Sequence, residues 1–408
     1  MPFAPVNEQM DILRRGVVDL VSEEELSAKL QRSIETDTGL VVKVGFDPSS
    51  PDIHLGHTVV IRKMKQFQDL GHEVVFVVGD FTAMIGDPSG KSKTRPQLSA
   101  EQIREHARTY QQQAFKILDP AHSRTEFNST WLDKLGAAGL IQLAAKYTVA
   151  RMMERDDFRK RYEAQKPIAV HEFLYPLAQA YDSVALRADV EMGGTDQLFN
   201  LLVGRDIMRE YGLAPQVILT MPLLVGTDGV DKMSKSLGNY IAIEDPPDQM
   251  YGKILSLSDD TMWTYWQLCT GRNEQQVQDL QAQVDSGTLH PKAVKQELAR
   301  TIVSDYYDPN AARAAENEFE QIFASRGLPS EMPEQEFTSE GSVWIVQVIR
   351  ECGFATSRGE ARRLLGQGAV SIDGRRVTDL EATVANDGVA RVLKVGKRRF
   401  ARVIVTKP

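Results

Sequence analysis

The chain has only two cysteines among its 408 residues, Cys269 and Cys352, and neither belongs to a Cys-x-x-Cys pair. This excludes a disulfide-rich scaffold and a thiolate zinc site, and it predicts a protein of the reducing cytoplasm. No uncharged apolar run approaches about 18 residues, which excludes a membrane-crossing helix. The first residues also lack a basic segment followed by an apolar one, so we expect no secretory signal.

Composition and charge describe a globular chain with an uneven charge distribution. Hydrophobic residues make up 42% and charged residues 25%, which excludes wholesale disorder, and the length suggests about two to four domains. Residues 341–408 contain 13 basic and 6 acidic side chains, whereas the whole chain carries a net charge of −8. A basic segment on an acidic body indicates a module that binds a polyanion. A segment that is basic for no functional reason is the alternative.

A strand, a helix and a second strand are predicted near the N-terminal end. Residues 40–46 form a short β-branched apolar run, and 57–70 show helical spacing that ends before Gly71. Residues 72–81 are again rich in β-formers. Such a βαβ unit has a parallel sheet, and ligands of parallel sheets bind at the carboxyl ends of the strands.

The remaining chain alternates between helical stretches and short strands. Helical patterns dominate from 99 to 188 and again from 246 to 324, with a late strand predicted at 216–225. Residues 325–341 are rich in Pro, Gly, Ser and Glu, which is typical of a linker. After it, a helix is predicted over 357–366 and strands over 369–372 and 401–405.

Two segments carry groups suited to binding phosphates. His54 and His57 flank Leu-Gly at the start of the predicted helix, where backbone N–H groups favour an anion. A solvated turn and a metal-binding histidine pair are the alternatives. Lys232 and Lys235 lie on a glycine-flanked loop that can close over a triphosphate and neutralise the charge of departing pyrophosphate. An ordinary solvated loop is the alternative there.

Two further segments are less specific. The loop 86–92 reads GDPSGKS, but three residues separate its glycines where a P-loop has four. Tyr175, Gln179 and Asp182 are spaced four and three apart, so a helix places them on one face that is able to line a pocket. An amphipathic helix with an incidental polar stripe is the alternative for these three residues.

Taken together, the motifs resemble a known family. HLGH at 54–57, GGTDQ at 193–197 and KMSKS at 232–236, in this order, resemble the class I aminoacyl-tRNA synthetases. The strings VGFDPSSPDIHLGH, IGDPSGK and YPLAQAYDS are similar to the bacterial tyrosyl-tRNA synthetase family, in its second form. The string SRGEARRLLGQGAVSIDGRRV, in the basic segment, resembles the S4 RNA-binding domain. The resemblance extends from about residue 10 to the end.

The resemblance implies an α/β architecture. It implies a Rossmann-like parallel-sheet catalytic domain with a helical insertion over 1–225, and a KMSKS loop with an α-helical anticodon-side domain over 226–325. A linker over 326–341 and a small α+β S4 domain over 342–408 would follow. It also implies that the chain activates L-tyrosine with ATP and transfers it to tRNA(Tyr). The family acts as a cytoplasmic homodimer, with Mg²⁺ carried by ATP and no tightly bound cofactor or metal site in the protein.

The resemblance also assigns roles to individual residues. Catalysis would fall to His54, His57, Lys232, Lys235 and Ser236. ATP would contact Gly45, Asp47, Ser49, Gly56, Gly193, Gly194, Asp196 and Lys235. Tyrosine would contact Asp87, Tyr175, Gln179, Asp182 and Gln197, with Asp182 accepting from its hydroxyl. Lys91 and Arg95 would face pyrophosphate or tRNA, and Arg358, Arg362, Arg363, Arg375 and Arg376 would bind RNA.

One position departs from the better-known form of the family. Lys43 stands where that form has a tyrosine that shares the substrate hydroxyl, so Asp182 is expected to have a different partner here. Tryptophanyl-tRNA synthetase is the nearest alternative, but the S4 segment and the YxxxQAYD pattern favour tyrosine. A noncatalytic RNA-binding paralogue is another alternative, although such a protein would have no need of HLGH and KMSKS.

Overall fold

The structure is a computed structural model that describes residues 3–48, 52–87, 100–323, 332–396 and 399–407. It divides into two units, Met1–Glu316 and Asn317–Pro408, each with its own sheet. Within the described ranges, every helix is too short or too polar to cross a bilayer.

A six-stranded sheet forms the centre of the first unit. Its strands are β1 (Asp19–Val21), β2 (Val41–Phe46), β3 (Glu73–Val78), β4 (Ser123–Phe127), β5 (Val190–Gly194) and β6 (Val217–Met221). Their spatial order is β1-β6-β5-β2-β3-β4, and all are parallel except β1. The chain moves from β2 to one side through β3 and β4, and fills the other side with β5 and β6. The carboxyl ends of β2 and β5 therefore flank a topological switch point, where open α/β sheets bind ligands.

Helices precede, connect and follow these strands in the chain. They are α1 (Val6–Leu13), α2 (Glu23–Thr36), α3 (Leu55–Asp69), α4 (Thr82–Ile85), α5 (Ala100–Ala114), α6 (Ser129–Ala144), α7 (Val149–Met152), α8 (Asp156–Glu163), α9 (Leu174–Leu186), α10 (Leu198–Glu210), α11 (Pro247–Leu255), α12 (Asp259–Cys269), α13 (Glu274–Asp285), α14 (Pro291–Tyr306) and α15 (Pro309–Phe323). Helices α6 to α9 fill the connection between β4 and β5. Every residue of β6 is buried, as is every residue of β3 except its first, because parallel strands are covered on both faces.

In its described residues, the second unit contains the end of α15, a five-stranded sheet, a two-stranded sheet and two further helices. The strands are β7 (Glu334–Thr338), β8 (Val343–Trp344), β9 (Val370–Ile372), β10 (Arg375–Val377), β11 (Thr383–Val384), β12 (Arg391–Val395) and β13 (Arg399–Thr406), and the helices are α16 (Ile345–Glu351) and α17 (Arg358–Gly366). The main sheet has the order β10-β9-β12-β13-β7, and β8 pairs with β11. Ile345, Ile349, Leu365 and Val405 are among its core residues.

The predicted βαβ unit is confirmed by β2, α3 and β3, and the late strand by β6. The linker prediction is wrong for residues 334–338, which form β7 and pair in parallel with β13. Phe337 is buried in the core of the second unit, while its neighbours in β7 are exposed or half-buried. An edge strand tolerates the glutamates that gave this stretch its linker composition. The other predicted domain boundaries stay predictions.

Candidate active site

A cavity of about 510 Å³ lies at the carboxyl ends of the central strands of the first unit. Residues that follow β2, β3 and β5 contribute to its wall, together with α9 and the loop after β6. The described candidate residues of the first unit all line it: Gly45, Asp47, His54, Gly56, His57, Asp87, Tyr175, Gln179, Asp182, Gly193, Gly194, Asp196, Gln197, Lys232, Lys235 and Ser236. Ser49, Lys91 and Arg95 lie outside the described residues.

The HLGH and KMSKS segments meet at one end of the cavity. His54 forms a β-bridge with Ala242, a few residues beyond the KMSKS loop, and the amide of Gly56 lies 3.3 Å from Sδ of Met233. The Lys235 ammonium donates to the backbone oxygen of Asp52. Segments almost 180 residues apart in the chain are therefore held together as one wall.

The two histidines occupy the start of α3. The backbone N–H of His54 donates to Nδ1 of His57 at 3.2 Å, so a neutral His57 carries its proton on Nε2. The rings stack with their centroids 3.8 Å apart. Burial, reinforced by the charge of Lys235, lowers the pKa of His54 to about 3, so this side chain is neutral at pH 7. Neutral imidazoles at the positive end of a helix are hydrogen-bond donors suited to phosphate oxygens.

The turn after β5 faces the same loop. Asp196 accepts from the Lys232 ammonium at 2.8 Å. Gly194 lies so close to Asp196 and Leu223 that a Cβ added there would be 2.8 Å from a side-chain atom of each. Glycine at this position therefore allows the backbone and the Asp196 carboxylate to form the cavity wall together.

Tyr175 and Asp47, which both line the cavity, are in direct contact. The Tyr175 hydroxyl donates to Oδ2 of Asp47 at 2.8 Å, and the Thr82 hydroxyl donates to Oδ1 at 2.7 Å. Burial and the Asp47 carboxylate raise the pKa of Tyr175, which keeps its proton. Asp47, which the resemblance assigned to the nucleotide, thus also touches a residue assigned to tyrosine.

A chain of amide side chains connects the remaining polar groups. Gln197 donates to Asp87 at 2.9 Å, and Asn200 donates to both Gln197 and Gln179, at 3.2 and 3.1 Å. The buried Arg155 donates to Asn200 at 3.2 Å, which connects the helical insertion with these groups. Side chains held in such a network are preorganised to bind a polar ligand.

Asp182 also lines the cavity, and it accepts two hydrogen bonds. The Trp131 indole donates to Oδ1 at 2.8 Å, and the Asn128 amide donates to Oδ2 at 3.3 Å. Burial raises the pKa of Asp182 to about 7, although the nearby charge of Lys43 opposes this shift. Lys43 itself does not line the cavity.

Comparisons with known proteins agree with this geometry. Residues 35–324 match a family described as tRNA synthetases class I (W and Y), and residues 319–403 match the tyrosine–tRNA ligase SYY-like C-terminal domain. The tyrosine–tRNA ligase of Desulfotalea psychrophila is 53% identical over 404 residues, which cover 99% of this chain and 100% of that protein. The chain belongs to the tyrosine–tRNA ligase family.

Other members of the tyrosine–tRNA ligase family show the same similarity. The Thermotoga maritima protein is 53% identical over 396 residues, with 97% of both chains covered. Among solved structures, tyrosyl-tRNA synthetase from Archaeoglobus fulgidus, complexed with L-tyrosine, has a TM-score of 0.61 and 25% identity. That match covers 76% of this chain and 99% of the other. The predicted family and fold class are thereby confirmed, and tyrosine is favoured over tryptophan.

The candidate site includes residues that the sequence did not point to. Asn128, Trp131, Thr82 and Asn200 all contact predicted site residues. Asn128 and Trp131 occur in a segment that reads as the start of a helix, and their distance from Asp182 in the chain gives no signal. One local feature does indicate that this segment could belong to the site: the polar pair Asn-Ser follows the carboxyl end of β4, and ligands of parallel sheets bind at the carboxyl ends of the strands.

The predicted RNA-binding arginines belong to the second unit. Arg358, Arg362 and Arg363 lie on α17, and Arg375 and Arg376 on β10, and all five are exposed. The Arg362 guanidinium lies 5.1 Å from the centroid of Trp344. Their role in binding RNA stays a prediction.

Proposed function

We propose that this chain activates L-tyrosine with ATP and transfers the tyrosyl group to tRNA(Tyr). The observation that carries the proposal is the convergence of HLGH and KMSKS on the cavity that also contains Asp182. Cationic and N–H donor groups suit a triphosphate, and a buried carboxylate with two neutral donors suits a phenol hydroxyl. One cavity therefore offers groups complementary to both substrates.

The first step requires positioning more than proton transfer. The tyrosine carboxylate is ionised at pH 7 and attacks the α-phosphorus of ATP without a general base. The new bond joins a carboxylate oxygen to phosphorus, and the bond to the bridging oxygen breaks as pyrophosphate leaves. His54 and His57 would donate to the α-phosphate, and Lys232, Lys235 and Ser236 to the departing phosphates.

The other wall residues would hold the substrates in place. Gly45, Gly193, Gly194 and Asp196 would face the nucleoside, with Asp196 accepting from ribose. Asp87, Tyr175, Gln179 and Gln197 would surround the amino and carboxylate groups of tyrosine, where Asp47 adds a further carboxylate. The side chains on the phosphate side are largely ammonium and imidazole groups, so we infer that Mg²⁺ enters bound to the ATP phosphates.

The tRNA would engage the second unit, and we propose a homodimer in the cytoplasm. Arg358, Arg362 and Arg363 present exposed positive charge on α17. By resemblance, the helix-rich region 131–153 would lie near the dimer interface, and within it Ile141 and Val149 are exposed by 70% and 65%. Exposed apolar side chains support a subunit interface where they belong to a contiguous patch.

The proposal is tested by ATP–pyrophosphate exchange, run separately with tyrosine, tryptophan and phenylalanine. We expect exchange with tyrosine, followed by aminoacylation of tRNA(Tyr) when tRNA is supplied. Exchange with tryptophan and not with tyrosine would instead identify a tryptophanyl-tRNA synthetase. Binding of tRNA without exchange for any amino acid would identify a noncatalytic paralogue.

A further inference from the structure

The ion pair between Lys43 and Glu191 is the most buried of those formed by the described residues. The Lys43 ammonium lies 2.9 Å from Oε1 of Glu191, and their side chains are 0% and 1% exposed. Lys43 is on β2 and Glu191 on β5, the two strands that flank the switch point. Placing two charges out of water is costly, so this pair is poor evidence of added stability and invites another explanation.

The pair is tied to the helix that carries the proposed tyrosine-binding groups. Lys43 donates to the backbone oxygen of Gln179 at 3.3 Å. Glu191 accepts from the Gln179 amide at 3.2 Å, from the Ser183 hydroxyl at 2.8 Å and from the Gln216 amide at 2.7 Å. Asp182 lies between Gln179 and Ser183 on α9, and both of these residues are bound to the ion pair.

We propose that Lys43 acts from behind the cavity to favour the ionised form of Asp182, and thereby determines the selectivity for a phenolic substrate. This inference rests on the proposed function. Lys43 is a positioning residue in this scheme, because it acts on tyrosine only through Asp182.

The groups around Asp182 support this assignment. Lys43 on β2 and Glu191 on β5 act on its charge, Tyr175 lies on the same helix, and Asn128 and Trp131 are neutral hydrogen-bond donors. Burial alone would raise its pKa further, and Lys43 lowers that pKa by more than Glu191 raises it. The pair therefore acts on Asp182 as a net positive charge.

The hydrogen bonds of Asp182 also fit an ionised group. Each of its oxygens accepts from an N–H donor, so a proton on either oxygen would compete with Trp131 or Asn128. A phenylalanine substrate would leave this buried charge without one partner, which is a strong penalty. If Asp182 were neutral, the penalty would be smaller and discrimination would weaken.

The test is the pH dependence of tyrosine binding, measured by equilibrium dialysis with radiolabelled tyrosine between pH 5.5 and 8.5. Loss of the Lys43 charge raises the pKa of Asp182, so the acid limit of binding in Lys43→Met should move up by about one pH unit or more. Glu191→Gln retains the lysine, so its limit should stay or move to lower pH. Lys43→Arg should restore the profile of the unmodified protein.

A second readout is the ratio of tyrosine to phenylalanine activation at pH 7, which should fall in Lys43→Met and not in Glu191→Gln. The double variant Lys43→Met, Glu191→Gln leaves neither member of the pair charged. It should therefore give the same pH limit and the same selectivity as Lys43→Met. It replaces Lys43→Met in both measurements if that single variant fails to fold. Equal weakening at every pH in both single variants would show a structural role and overturn the inference. An unmodified protein that binds no tyrosine would instead contradict the proposed function.

Discussion

Lys232 and Asp196 are joined by an ion pair of 2.8 Å that connects the KMSKS loop to the turn after β5. Their side chains are 45% and 26% exposed, and an ion pair this open to water contributes at most about 1 kcal/mol. The contact therefore holds the loop against the cavity without locking it. In our proposal, Asp196 exchanges this ammonium for the ribose of ATP, and Lys232 is released to the phosphates.

Replacement of Lys232 by methionine should slow tyrosyl-adenylate formation by about 100-fold, because one donor to the transition-state charge is lost. Tyrosine affinity should be unchanged, since tyrosine binds elsewhere in the cavity. Rapid-quench measurements of adenylate formation and equilibrium dialysis separate the two effects. Lys146→Met, at a lysine beyond α6 that contacts Glu210, is the control and should leave both unchanged.

The rate of adenylate formation should fall as the pH rises through about 8. Burial lowers the pKa of Lys235 to about 8, so its ammonium is present below that pH and is lost above it. Lys235→Arg retains its charge at all accessible pH values, so its rate should show no alkaline decline near pH 8. An alkaline limb that persists unchanged in Lys235→Arg would assign the titration to another group.

Replacement of Asp182 by asparagine should lower kcat/KM for tyrosine by about 100-fold, because a hydrogen bond to a charged group is lost. The value for phenylalanine should change little, so selectivity falls. Tyr181→Phe is a matched control on the same helix, because Tyr181 packs against Tyr211 outside the cavity wall. Equal losses for both amino acids in the Asp182 variant would argue against a contact with the tyrosine hydroxyl.

His72 makes the stability of the first unit depend on pH. Its Nε2 lies 2.8 Å from the Gln9 oxygen and its Nδ1 accepts from the amide of Leu40, so the buried ring is neutral. Burial lowers its pKa to about 4, whereas the unfolded chain takes up a proton near pH 6.5. The stability that this neutral ring contributes is present above pH 6.5 and is lost as the pH falls towards 4.

The unmodified protein should therefore lose about 2 kcal/mol more than His72→Gln when the pH is lowered from 7 to 5. Urea unfolding at the two pH values measures this difference. His54 also has a lowered pKa, but it is present in both proteins, so its contribution cancels in the comparison. Identical losses would show that His72 does not carry this pH dependence.

Replacement of Arg358, Arg362 and Arg363 by glutamine should weaken tRNA binding while ATP–pyrophosphate exchange with tyrosine is retained. A plot of log affinity against log salt concentration should become less steep, by up to about 0.9 in slope for each arginine that contacts a phosphate. Filter binding at several salt concentrations measures the slope. Arg391→Gln is the control, because Arg391 is already paired with Asp387.

Local patterns were sufficient to predict much of the fold. Apolar runs and helical spacing predicted β2, α3, β3 and β6, because buried strands and amphipathic helices impose their own periodicity. The linker prediction from composition was wrong at β7, where parallel pairing with a distant strand outweighs a charged sequence that follows a proline. Pairing with β13 leaves no trace in the sequence of β7 itself.

The candidate site divides in the same way. Local motifs predicted which chemical groups the site contains, because HLGH, GGTDQ, KMSKS and the Tyr175–Asp182 spacing are specific in combination. The contacts of Trp131 and Asn128 with Asp182, and the position of Lys43 behind the cavity against Glu191, follow from the folded arrangement alone. Those contacts join residues about 50 to 150 positions apart, and their distances depend on how the sheet and helices pack.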